Sequence, residues 1–150
     1  MVLRYCQIRL EILNMKPEND IDDIADSWIA ITANPDECSD EAFDLGFSIN
    51  SLAYDDPEIA WLIINNIREK LDDSFFKEDF DENRINLAAN LGADPVETLL
   101  SQHGAAFIDR VERLAVSDKK MRWILGCAWK NSMPEEIWQR VQRAAGSISR

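Results

Sequence analysis

Apolar residues recur along most of the chain at the three- and four-residue spacing of an amphipathic helix. Ala60, Ile63, Ile64, Ile67 and Leu71 form one such stripe, and Phe107, Val111, Leu114 and Ala115 form another. Ile137, Trp138, Val141 and Ala145 repeat the pattern near the end of the sequence. Ile24, Trp28 and Ile31 give a shorter version, and Ala42, Leu45, Ile49, Leu52 and Ala53 line a further helix. The first 13 residues fit either periodicity: Leu3, Cys6, Leu10 and Leu13 suit a helix, whereas Cys6, Ile8, Leu10 and Ile12 suit a strand.

Start and stop signals support the helical reading. Asn34-Pro35-Asp36-Glu37, Asp55-Asp56-Pro57-Glu58, Asp94-Pro95-Val96-Glu97 and Ser132-Met133-Pro134-Glu135 each combine a capping side chain, an early proline and a glutamate. The cap accepts a free N–H, the proline sits where no N–H is needed, and the glutamate complements the helix dipole. Gly92, Gly104, Gly126 and Gly146 fall near expected helix ends. The expectation is an all-α protein, an irregular bundle of about six to eight helices. Pro17, Pro57, Pro95 and Pro134 recur at intervals of 40, 38 and 39 residues, so the alternative is a HEAT-like stack of helical pairs. Residues 1–150 read as one helical domain, with residues 1–18 open to a separate N-terminal helix or strand.

Composition narrows the functional classes. The chain carries 28 Asp and Glu against 16 Lys and Arg, a formal charge of −12, with 46% hydrophobic residues. That apolar content is too high for a disordered acidic tail. The acidic balance opposes general nucleic-acid binding, which needs a basic footprint. The charged residues Arg4, Arg9 and Glu11 interrupt the first apolar run, against a secretory signal. Membrane association is not expected either, because no run of 18 apolar residues occurs. Cys6, Cys38 and Cys127 are widely spaced, which argues against a disulfide framework or a zinc site. A cytoplasmic, reduced protein is expected.

The charge is unevenly placed. Residues 1–100 hold 23 acids and 7 bases, net −16, and residues 101–150 hold 5 acids and 9 bases, net +4. Between Pro17 and Ile67 there are 13 acids and no Lys or Arg. Glu37, Asp40, Glu41 and Asp44 share one helix face, and Asp22 and Asp26 repeat the spacing. Like charges at that spacing destabilise a helix by about 0.2–0.5 kcal/mol per pair. They are read either as a solvated face or as an anionic surface for a basic partner.

Catalytic motifs are not found. His103 is the single histidine, in Ser101-Gln102-His103-Gly104, and is read first as a helix C-terminal residue and second as a base paired with a carboxylate or Cys127. Phosphate-binding loops and nucleophile elbows do not occur, and one histidine cannot furnish a di-iron site. No metal or cofactor is expected. Trp123, Trp129 and Trp138 stand beside Arg122, Lys130 and Arg140. They are read as core residues in preference to a nucleic-acid stacking platform.

The segments from His103 to Ala115 and from Gly126 to Trp138, with Asp55-Asp56-Pro57-Glu58-Ile59-Ala60-Trp61, resemble a largely bacterial family of small proteins classed as a domain of unknown function. The likeness runs over about residues 22–142 and is most specific around Trp129-Lys130-Asn131-Ser132-Met133-Pro134. It implies a bacterial helical domain with no activity to transfer. Its recurring polar positions are His103, Asp109, Arg110, Trp129 and Asn131.

The leading expectation is a non-enzymatic protein that docks an acidic helical face on a basic protein, most concretely an immunity-type protein that neutralises a bacterial toxin such as a nuclease. Asp22, Asp26, Glu37, Asp40, Glu41 and Asp44 would supply steering and rim contacts, and Phe43, Phe47 and Tyr54 the anchors. The alternatives are a small enzyme using His103 and a helical scaffold or adaptor.

Overall fold

The computed structural model describes residues 17–71 and 82–146. The choice between helix and strand for residues 1–13 lies outside them. Among the described residues there are seven α-helices and no strand: α1 Pro17–Ala33, α2 Asp40–Asp55, α3 Pro57–Lys70, α4 Glu82–Leu91, α5 Glu97–Ser117, α6 Lys119–Gly126 and α7 Glu135–Ala145. This is the irregular all-α bundle that the periodicity predicts.

The apolar stripes meet in one core. Ile24, Ile49, Ile63, Ile64, Ile67, Leu91, Leu100, Phe107, Val111, Met121, Ile124 and Val141 are each 0–1% exposed. Burying a side chain of this kind stabilises the fold by about 1.5–3 kcal/mol. Helix α1 packs against α2, α3 and α4, while α5 touches α2, α3, α6 and α7. The helices therefore close around a shared centre, unlike a stack in which each pair meets only its neighbours.

The predicted helix starts are corrected in detail. Asn34-Pro35-Asp36-Glu37 makes only a 3₁₀ turn, and its Asn34 side chain makes no capping bond. The true start of α2 lies at Ser39, whose hydroxyl accepts from the Ala42 N–H at 3.2 Å. Asp56 and Pro134 occupy N-cap positions without a side-chain bond. Asp94 caps nothing: Gly92–Val96 is a π-helical segment that joins α4 to α5, with Pro95 inside it. Proline lacks the N–H and crowds the preceding turn, and a widened turn relieves both. Helix α5 kinks again at His103, which has φ −132° and ψ 25°. Histidine thus sits at an internal bend and not at a helix end.

Gly46 and Gly92 mark the tightest crossings. A Cβ on Gly46 would lie 2.6 Å from Ile31 Cδ1, and one on Gly92 would lie 2.1 Å from the carbonyl oxygen of Ile124. Gly92 faces backbone that cannot give way, whereas at Gly46 the nearest obstacle is a side-chain tip, with the Trp28 backbone at 3.1 Å behind it.

Candidate functional site

Two clefts and a set of polar tethers hold the chemistry-bearing residues. The first cleft, of about 260 Å³, lies where the C-terminal end of α1 meets the start of α2 and the π segment. Trp28, Ile31, Thr32, Pro35, Phe43, Phe47, Asn90 and Asp94 line it. Phe43 and Phe47 are one helical turn apart, so their rings stack at 5.5 Å with 30° between planes. Phe47 is 51% exposed, a costly placement for a phenyl ring unless something covers it.

Asp36, Glu37, Asp40 and Glu41 are exposed on the turn after α1 and the first turn of α2, between the cleft residues Pro35 and Phe43 in sequence. The dipole of α2 favours Asp40 and Glu41 there. Asp94 enters from the π segment, and its carboxylate accepts from Asn50 Nδ2 at 3.0 Å. Loss of solvent around that carboxylate pushes its pKa up; the Asn50 bond opposes this and the charge of Glu97 adds to it. No Lys or Arg among the described residues pairs with Asp94.

The structure separates the other expected contact residues from this group. Lys70 of α3 bridges to Asp22, at 2.7 Å, and to Asp26. The Lys70 hydrogen bond holds the Asp22 carboxyl below its ordinary range. Both aspartates are therefore tethers between α1 and α3 before they are available to any partner. Tyr54 is 54% exposed but lies eleven residues beyond Phe43 on α2, about 16 Å along the axis. Asp44 is not separated: it is exposed on α2 between Phe43 and Phe47 in sequence.

His103 donates its Nε2–H to the Tyr54 carbonyl at 2.8 Å, tying the kink of α5 to the end of α2. Arg110 forms a fork on Glu58 at 2.7 and 2.8 Å, and its guanidinium lies 4.7 Å from the centre of the Phe107 ring. The Arg110 bond also depresses the Glu58 pKa. Asp109 and Glu112 both hold Arg140 of α7, Asp109 at 2.6 Å. Asn131 donates its side-chain amide to Glu97 at 2.9 Å, so four of the five polar positions picked out by the resemblance tether elements through their side chains, and the fifth, Trp129, does so through its backbone N–H. Among the described residues no group of His, Cys, Asp or Glu is arranged to hold a metal. No described helix is long and apolar enough to cross a membrane.

The second cleft, of about 430 Å³, separates Trp129 from the other C-terminal tryptophans: Trp123 and Trp138 pack half-buried against the core, as expected from the sequence, and Trp129 does not. Trp123, Trp129 and Trp138 line it together with Cys127, Val141 and Gln142. Trp129 is 69% exposed, held outward because its backbone N–H is captured by Glu97. His103 is not among the residues lining this cleft.

Sequence reasoning found Phe43, Phe47 and the acids beside them. It missed Asp94 and Asn50, because Asp94 reads as a helix cap and nothing local links it to a residue 44 positions earlier.

The architecture is that of a small all-α domain with tethered surface charges. The chain belongs to a family of unknown function, DUF6869, whose model matches residues 33–148. No curated protein and no solved structure matches it.

Proposed function

We propose that this chain is a protein-binding domain that docks the acidic, aromatic corner between α1 and α2 onto a basic protein. The observation that carries the reading is the stack of exposed Phe47 on half-buried Phe43, near in sequence to Asp36, Glu37, Asp40 and Glu41 in a stretch without a base. Aromatic anchors supply binding energy once buried, and rim charges supply rate and selectivity. The contact set is narrower than the periodicity alone suggests: Glu37, Asp40, Glu41, Phe43 and Phe47 form its centre. Tyr54 lies further along α2, Asp44 falls between Phe43 and Phe47 in sequence and stays with the set, and Asp22 and Asp26 are engaged by Lys70.

In its concrete form this is an immunity-type role in the bacterial cytoplasm, in which a carboxylate surface occupies the phosphate-binding cleft of a basic toxin such as a nuclease. The test begins with the full chain as bait for a native lysate at low and high salt, followed by kinetics with the recovered protein. Glu37→Lys, Asp40→Lys and Glu41→Lys together should slow association at low salt by at least about tenfold, since steering of this kind is worth 10–10³. Phe47→Ala should instead speed dissociation. An unchanged low-salt association rate for the triple variant overturns the proposal.

A further inference from the structure

The cleft volume of about 260 Å³ falls below the roughly 300–1,000 Å³ typical of small-molecule sites. It suits one long side chain of a larger partner. Its walls and its polar group specify which one. Phe43, Phe47 and Trp28 are the aromatic residues that line the cleft, and Asp94 is the carboxylic residue that lines it, from a separate element.

We infer that this cleft is a pocket for a single arginine side chain of a basic protein partner, with the guanidinium against the Phe43–Phe47 stack and bonded to Asp94. The inference rests on the docking reading above and names the side chain that the surface selects. Charge complementarity carries it. Asp94 has an amide neighbour, Asn50, and no cation among the described residues. Asp22, Asp26, Glu58, Asp109, Glu112, Asp118 and Glu135 each have a Lys or Arg at hand, whereas Asp94 shares its lack of one among the described residues with the rim acids Asp36, Glu37, Asp40 and Glu41, and differs from them in lining the cleft. A guanidinium fits better than an ammonium because it is flat, stacks on aromatic faces and bonds a carboxylate through two N–H groups. Its arrival would also relieve the cost of holding Asp94 charged where solvent is partly withdrawn. Asn50 fixes the carboxylate through its Nδ2, which keeps Asp94 oriented before any ligand is present.

The probes are N-acetylarginine amide and N-acetyllysine amide, titrated into the ¹⁵N-labelled full chain at low salt. The arginine compound should shift the Asn50 side-chain amide and the backbone amides of Phe43, Phe47 and Asp94. It should bind about fivefold more tightly than the lysine compound, the ratio expected from the second N–H bond that a guanidinium makes to Asp94. Asp94→Asn keeps an acceptor for Asn50, so folding is preserved. It should weaken arginine binding about tenfold and abolish the preference, as expected for loss of a charge-assisted bond. Absent shifts, equal affinity for both compounds, or indifference to Asp94→Asn overturns the arginine pocket. The two readings fail separately. If Glu37→Lys, Asp40→Lys and Glu41→Lys abolish binding of both compounds while Asp94→Asn does nothing, only the acidic docking surface survives. If Asp94→Asn removes the arginine preference and the triple variant binds normally, the pocket stands and the rim does not.

Discussion

Glu97 and Asn131, 34 residues apart in sequence, are joined by a hydrogen bond of 2.9 Å from the Asn131 side-chain amide to Glu97 Oε1. The other carboxylate oxygen accepts the Trp129 backbone N–H at 3.0 Å. Glu97 is buried at the start of α5, and Asn131 bends the connection to α7 with φ 41°. One carboxylate therefore pins the whole α6–α7 connection to the core and sets where Trp129 points. Bonds to a charged acceptor are worth about 1.5–3 kcal/mol each, and buried donors left without a partner cost a similar amount. Glu97→Ala should destabilise the fold by about 2–4 kcal/mol in urea titrations, and Glu97→Gln by about half as much. A loss under about 0.5 kcal/mol for Glu97→Ala would show that solvent replaces the carboxylate at no cost.

Asp118 combines two duties that separate by substitution. Its Oδ1 accepts the Met121 N–H at 3.1 Å to cap α6, and its Oδ2 pairs with the buried guanidinium of Arg68. Asp118→Asn keeps the cap and removes the charge, whereas Asp118→Ala removes both. A lost cap costs about 1 kcal/mol, and breaking a buried ion pair costs about 3–5 kcal/mol, lessened here because exposed Glu69 keeps a longer contact of 3.5 Å with Arg68. Asp118→Asn should therefore retain little of the native stability margin recovered over Asp118→Ala, and Arg68→Met in the Asp118→Asn background should restore stability. Equal stability of Asp118→Asn and the native chain would contradict a charge-dominated role.

How much of this was legible beforehand depends on whether a feature is local. The stripes through Ile63, Ile67, Phe107 and Val111 name their own buried faces, because helical spacing alone places them together. The stacking of Phe43 on Phe47 follows from the same rule. The pairing of Lys70 with Asp22 and Asp26 does not, since it needs the packing of α3 on α1. It converts two acids expected at an interface into internal tethers. Asn34 and Asp94 resemble caps in composition, but the preceding backbone decides whether a helix starts or continues there. Trp129 alone of the three C-terminal tryptophans departs from the core reading, for a related reason: composition marks it as apolar, while Glu97 decides which way its backbone faces.

The acid dependence of stability should follow the surface tethers. Glu58 and Glu112 have pKa values lowered first by their arginine hydrogen bonds, to Arg110 and Arg140 respectively. A carboxyl whose folded pKa is depressed contributes stability that is complete above its unfolded pKa and is lost as pH falls through the folded value. The stability gap between the native chain and Glu58→Gln/Glu112→Gln should thus be full at neutral pH and close below about pH 4. Added salt should shrink the same gap, because both carboxylates lie near solvent. Asp94, with its raised pKa, works in the opposite direction: Asp94→Asn should be least destabilising, or even stabilising, at neutral pH. A gap for Glu58→Gln/Glu112→Gln that is independent of pH would remove the ion pairs from the account.

Glycine substitutions distinguish a backbone collision from a side-chain one. An alanine Cβ at position 92 would lie 2.1 Å from the Ile124 carbonyl oxygen and 3.1 Å from Cys127 Cβ. That carbonyl accepts the Cys127 N–H at 3.1 Å and closes the last turn of α6, so it cannot turn aside without undoing the turn. An alanine at Gly104 would meet Ile137 Cγ2 at 2.8 Å, a methyl that a modest rotation of α7's side chain can move. Overpacking costs about 1–3 kcal/mol, against roughly 1 kcal/mol returned by replacing glycine with alanine inside a helix. Gly92→Ala should fall at the upper end of that range or fail to fold, and Gly104→Ala should lose less. Because Cys127 and Ala128 begin the tryptophan cleft, a folded Gly92→Ala chain should also change its near-ultraviolet circular dichroism, while Gly104→Ala should not. The reverse order of stability would mean that α6 yields more easily than Ile137, and that the contact at Gly92 does not set the position of the cleft.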